Sequence, residues 1–152
     1  VYSVEDVLYH YRINAGSVSH KYSADSDKDR IRLGNLLIEM AGEMDEQMAE
    51  LKGVKGYDLI TRDCYHFLFG IASTVLMTKF YHPDAPMTPR ERAQGAKAFL
   101  KTEPFRSAIK KCEYGRLATE SKIKKFLLSM GMVSVFSRIR QKRTSKKNAM
   151  QE

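Results

Sequence analysis

Leu33, Leu36, Leu37, Met40, Met44, Met48 and Leu51 recur at steps of three and four, the spacing of one apolar stripe on an α-helix. The helix this predicts opens at Ser26, a natural N-cap, with Asp27 and Asp29 in its first turn, and closes at Gly53 and Gly56. Its other side carries Glu39, Glu43, Glu46 and Glu50, which reads as a solvated face. A second helix is predicted from Tyr57 to Tyr81. Between Asp63 and Lys79 it holds 15 residues without a formal charge, CYHFLFGIASTVLMT. A membrane span needs about 20 apolar residues, and this run also contains His66, Gly70, Ser73 and Thr74, so it reads as the buried central helix. His82 and Pro83 stop it. Thr88 and Pro89 then supply an N-cap followed by proline at the first helical position. The new helix runs through Arg92, Ala96, Phe99 and Leu100 to a break at Glu103-Pro104. A short helix from Phe105 to Cys112 follows, then a pair, Thr119 to Met130 and Met132 to Arg143, parted near Gly131.

Ahead of these helices the pattern is different. Val1 to Arg12, VYSVEDVLYHYR, is rich in valine and tyrosine and predicts one or two short strands. Asn14, Ala15 and Gly16 form a turn, and Ser17 to Ser26 a polar loop. The expected fold class is mainly α, with short N-terminal β-strands followed by a bundle of about five to six helices. Three segments are expected: 1–22 as strands and loop, 23–143 as the helical part, and 144–152 as a disordered basic tail. The chain opens on Val1 in what reads as the middle of a strand, so more sequence is expected upstream. Residues 1–20 are polar-interrupted and do not form a secretory signal.

Charge changes this picture at one end. Of the net +8, residues 1–105 contribute 13 basic and 15 acidic side chains, whereas 106–152 contribute 13 basic and 3 acidic. The whole excess therefore lies in the last third, and such a block attracts nucleic acid or an anionic membrane leaflet. The segment KIKKFLLSMGMVSVFSRIRQKR interleaves Lys122, Lys124, Lys125, Arg138, Arg140, Lys142 and Arg143 with apolar residues. Basic helices with Phe and Leu on the opposite side suit a membrane surface. Equally, the apolar side could pack on the preceding helices while the lysines only solubilise. Cys64 and Cys112 sit in no CxxC or Cys/His spacing, which predicts free thiols and no zinc site. His66, on an apolar helix, reads as a satisfied core histidine.

The densest candidate chemistry lies in LYHYRINAGSVSH, Leu8 to His20. A strand there brings Arg12 to its end, and a loop presents Ser17, Ser19 and His20. A guanidinium beside hydroxyls and loop amides suits a phosphate or diphosphate, which takes two parallel charge-assisted hydrogen bonds from it. The commoner fate of such an arginine is pairing with a carboxylate at a strand edge.

This stretch is similar to a pattern that follows the catalytic core in many family 2 glycosyltransferases of bacterial polysaccharide synthesis. That pattern is an aromatic pair, then Tyr-Arg, a short turn and Ser-x-Ser, matched here by Tyr9, Tyr11, Arg12, Asn14, Gly16, Ser17 and Ser19. The match covers 13 residues, and the helical layout downstream looks like that family's tails. The resemblance implies a GT-A enzyme that moves a sugar from a nucleotide-sugar donor to a polysaccharide or lipid-linked acceptor, with Mg or Mn as divalent metal. It puts Arg12, Ser17, Ser19 and His20 at the donor diphosphate. The acidic metal motif and the base are not found here; the one Asp-x-Asp, Asp25-Ser26-Asp27, is better explained by helix capping. The chain alone is expected to bind no metal and to be inactive. A cytoplasmic location, peripheral on the inner membrane, follows from the same resemblance. A competing reading is a non-enzymatic basic helical module that binds anionic membrane or nucleic acid. With no helix-turn-helix, zinc-finger or RNP signature, specific nucleic-acid recognition is not expected. A third is an interface module in which the methionine-rich helix meets a partner, a homodimer included.

Overall fold

The first amphipathic run does fold as a helix, α1, Ser26–Lys52. The computed structural model of the chain describes residues 22–139; among them the structure is mainly helical, with no strand. The expected strands of residues 1–12, the tail 144–152, and Arg12, Ser17, Ser19 and His20 lie outside the described residues. Helix α1 is capped at Asp25 rather than Ser26, and Asp27 accepts the Lys79 amine as well as facing the helix dipole. It ends at Gly53 with φ 62°, a left-handed conformation glycine adopts without a Cβ penalty, and the Gly53 N–H returns to Ala49 and Glu50 carbonyls.

Spacing predicts that the Leu33–Leu51 stripe packs inward, but α1 is turned. Gly34, Ala41 and Asp45 are its buried residues, while Met40 is 57% and Leu51 81% exposed. Leu33, Leu36 and Met44 are exposed too. Leu37 of the stripe still packs against the core, but the fully buried line lies one residue further along the helix, about 100° round its axis. Close approach explains the turn. A Cβ on Gly34 would stand 2.6 Å from Pro104 Cγ and 3.2 Å from Leu68 Cδ2, so only glycine lets α1 sit this near its neighbours. Asp45 has a reason of its own to face inward.

That reason is α2, Leu59–Val75, whose N-cap residue Asp58 makes no capping hydrogen bond with its side chain. The first N–H groups of a helix need acceptors from outside it. Asp45 supplies them from α1: Ile60 N–H donates to its Oδ1 at 2.9 Å and Thr61 N–H to its Oδ2 at 2.8 Å. The last turn of α2 widens into a π-turn, Leu76–Phe80, closed by Tyr81 N–H on the Leu76 carbonyl at 2.8 Å. No helix among the described residues is long and apolar enough to cross a membrane.

The uncharged run is the centre of the core, as its composition predicts. Leu68, Phe69, Ala72, Val75 and Leu76 are buried along it. Against them pack Ala96, Phe99 and Leu100 of α3 (Pro89–Lys101) and Phe105, Ala108 and Ile109 of α4 (Phe105–Lys111). The Phe99 and Phe105 rings stand 4.6 Å apart, tilted by 43°. Helix α3 starts on a full capping box: Glu91 N–H donates to Thr88 Oγ1, and Thr88 N–H donates back to Glu91 Oε2 at 2.7 Å. Helix α5, Thr119–Ser129, and a last helix, α6, residues 133–139, close the bundle with Leu127, Leu128, Val133 and Phe136.

Candidate functional site

Two helices meeting at the Glu103-Pro104 break set up the site. On α3, Lys97 and Lys101 are four residues apart and share a face; on α4, Arg106 and Lys110 do the same. All four are exposed and line one groove of about 400 Å³. Its floor is apolar, made by Leu100 and Ile109 from the same helices and by Leu128 and Val133 from α5 and α6. Ser129, Met130 and Gly131 close the far side, and Gly131 takes φ 67° to reverse the chain between α5 and α6.

No carboxylate lines this groove, and none of its four cations enters an ion pair among the described residues. Like charges around a concave, half-apolar surface concentrate anions there, and the low-dielectric floor weakens screening by water. The one hydroxyl, Ser129 Oγ, donates to the Lys125 carbonyl at 2.7 Å, so it is already engaged. The groove therefore has the chemistry of a binding place for an anion with an apolar body.

The basic residues expected to contact a polyanion divide. Lys122 and Arg138 are exposed and Lys124 is half-buried. Lys125 is a correction: it is only 6% exposed and points inward. Its amine donates to the carbonyls of Cys112 and Lys110 and stands 4.5 Å from the centre of the Tyr114 ring. The last carbonyls of α4 lack helical donors, and a lysine reaching from α5 satisfies them and complements the negative helix end. Arg140, Lys142 and Arg143 lie outside the described residues. The apolar residues of this segment divide as well. Leu127, Leu128, Val133 and Phe136 pack inward, whereas Ile123, Phe126, Met130, Met132, Val135 and Ile139 remain exposed.

A second cluster joins α2 to the chain after α4. His66 Nε2 accepts the Glu113 N–H at 3.1 Å, and its Nδ1 lies 3.2 Å from Cys112 Sγ. A ring nitrogen that accepts carries no proton, so in the neutral imidazole the proton sits on Nδ1 and points at the sulfur. Burial lowers the His66 pKa, and Arg116 lowers it further. Burial raises that of the Cys112 thiol, which is fully covered. A neutral imidazole beside a neutral, inaccessible thiol is a structural pair and not an activated nucleophile. Around it Arg116 binds Asp63 at 2.6 Å and Arg62 binds Glu113 at 3.3 Å, fastening the short 3₁₀ turn Tyr114–Arg116 to α2. Cys64 is also a free thiol with its pKa raised by burial. Among the described residues no group of His, Cys, Asp and Glu side chains is placed to hold a metal ion.

Sequence reasoning missed the groove although its parts were visible. Two basic pairs at helical spacing flank a predicted break, which is the signal that could have found it. Compared with protein-family models, with curated proteins and with solved structures, the chain matches none, so a functional reading has to be carried by its own residues.

Proposed function

We propose that this chain is the C-terminal helical portion of a bacterial family 2 glycosyltransferase, which moves a sugar from a nucleotide-sugar donor to a polysaccharide or lipid-linked acceptor. The observation that carries the reading is LYHYRINAGSVSH, Leu8 to His20, leading directly into a helical bundle. In this reading Arg12, Ser17, Ser19 and His20 meet the donor diphosphate, and a divalent Mg or Mn held by upstream residues supplies charge neutralisation there. The helices serve as a platform toward the acceptor or the inner face of the bacterial membrane. None of residues 22–139 is assigned a catalytic role.

Isothermal titration of the longer native protein with UDP and manganese, wild type against Arg12→Ala, tests this. Metal-dependent binding that weakens in the variant supports the family and the role of Arg12. Binding that the substitution leaves unchanged keeps the family and removes Arg12 from the site. No binding of any nucleoside diphosphate sinks the transferase reading. A second reading, a non-enzymatic module for anionic membrane or nucleic acid, is favoured by one observation, the groove of four cations that enter no ion pair among the described residues.

A further inference from the structure

We propose that the groove between α3, α4 and the α5–α6 turn is a membrane-docking site that takes the phosphate headgroup of an anionic phospholipid. This deepens the membrane contact named above by moving its charged centre to four cations outside the basic segment, which supplies part of the apolar floor, and it does not depend on the transferase chemistry.

Three features point to lipid. First, charge is complementary: Lys97, Lys101, Arg106 and Lys110 converge with no carboxylate among the lining residues. Arg106 can grip two phosphate oxygens at once, while the lysines act as mobile point charges around it. Second, the floor of Leu100, Ile109, Leu128 and Val133 is apolar, which suits the glycerol and upper acyl carbons beneath a headgroup. Third, an apolar ridge adjoins the rim. Met130 lines the groove and is 63% exposed, and Phe126 and Ile123 continue its line along α5 at steps of four and three, both about half exposed. Basic rim and protruding apolar ridge are the two ingredients of binding at a bilayer interface. A nucleic-acid groove would need other parts. No aromatic ring lines this one, so it has no stacking platform for bases, and no side-chain amide is present to read adenine.

The test is co-sedimentation of the full chain with vesicles of phosphatidylcholine alone or mixed with phosphatidylglycerol. Two fourfold variants lose the same charge. One carries Lys97→Gln, Lys101→Gln, Arg106→Gln and Lys110→Gln; the other carries Arg30→Gln, Arg32→Gln and Lys52→Gln on α1 and Lys55→Gln just past its end. All eight positions are exposed, and circular dichroism confirms that both variants fold. Each groove cation is worth about fivefold in partition onto an anionic surface, so the groove variant, which loses four, should bind the mixed vesicles roughly 600-fold more weakly. The α1 variant should lose less than about tenfold, through long-range attraction alone. Met130→Ser should weaken binding at high salt as well as low. Equal losses in the two variants would show a generic effect of net charge and overturn the site. So would binding to duplex DNA in preference to the mixed vesicles, or an unaffected groove variant. Failure of the UDP titration leaves this proposal standing, and failure with vesicles leaves the transferase reading standing.

Discussion

Replacing Asp45 by alanine should unfasten the start of α2 from α1. The carboxylate is 4% exposed and accepts two backbone N–H groups, Ile60 at 2.9 Å and Thr61 at 2.8 Å. Losing an N-cap acceptor costs about 1–2 kcal/mol. Loss of a negative charge at the helix start adds up to about 1 kcal/mol more. Against this, alanine is the better helix former in α1 by roughly half a kcal/mol. The expected net loss is about 2 kcal/mol, which for a chain of this length lowers Tm by roughly 6 °C. Asp45→Asn keeps an acceptor oxygen but not the charge, and should cost about half as much. Urea unfolding followed by far-UV circular dichroism gives both values. The pH dependence adds a second check. Burial raises the Asp45 pKa, but hydrogen bonds from the Thr61 side chain and from the Thr61 and Ile60 amides outweigh it, so the folded-state value lies below the ordinary one. A depressed carboxylate contributes its full stability above the unfolded pKa of about 3.9 and loses it as pH falls through the folded value. The difference between wild type and Asp45→Ala should therefore be flat from neutrality to about pH 5 and shrink in stronger acid. A loss below about half a kcal/mol, or a difference that acid does not reduce, would refute the capping argument.

Two glycines in α1 should respond in opposite directions to alanine. Gly34→Ala puts a Cβ 2.6 Å from the Pro104 ring and should destabilise by about 1 kcal/mol net, whereas Gly42→Ala meets nothing within 4 Å and should stabilise by up to about 1 kcal/mol in the same unfolding assay. Lys125→Met should cost about 1–3 kcal/mol by leaving the Cys112 carbonyl without its donor, and should be more damaging than Lys122→Met on the same helix. Ser73 is 3% exposed and its hydroxyl has no hydrogen-bond partner among the described residues, so Ser73→Ala should leave stability unchanged or raise it by about 1 kcal/mol, read as a higher Tm.

Helix boundaries were legible because their punctuation is local. Gly53, Thr88-Pro89, Pro104 and Gly131 act through their own backbone preferences, and each falls where a helix starts or stops. The central place of α2 was legible too, since 15 residues without charge have few other places to go. The facing of α1 was not. Periodicity weighs large apolar residues, whereas the facing is decided by Gly34 against Pro104 and by Asp45 reaching α2, contacts between positions far apart in sequence. Lys125 misled for the same reason: in the run Lys122 to Phe126 nothing local distinguishes it from its exposed neighbour Lys122, and what draws it inward is the open carbonyl of Cys112. The groove needed both helices in place before Lys97 and Arg106 could be seen as facing one concavity. Arg12, Ser17, Ser19 and His20, on which the donor-site reading depends, lie outside the described residues.

The turned α1 also determines how the protein meets oxidants. Met40 and Met44 stand about half exposed on its outer ridge, so peroxide reaches their sulfur atoms without any unfolding. Each sulfoxide would make a polar, chiral group from an apolar one at a place where nothing among the described core residues depends on it. Had the stripe faced inward, the same chemistry would have required opening the bundle and would then have prevented its closure. Peptide mapping after mild peroxide treatment should thus find Met40 and Met44 converted while the helical signal persists.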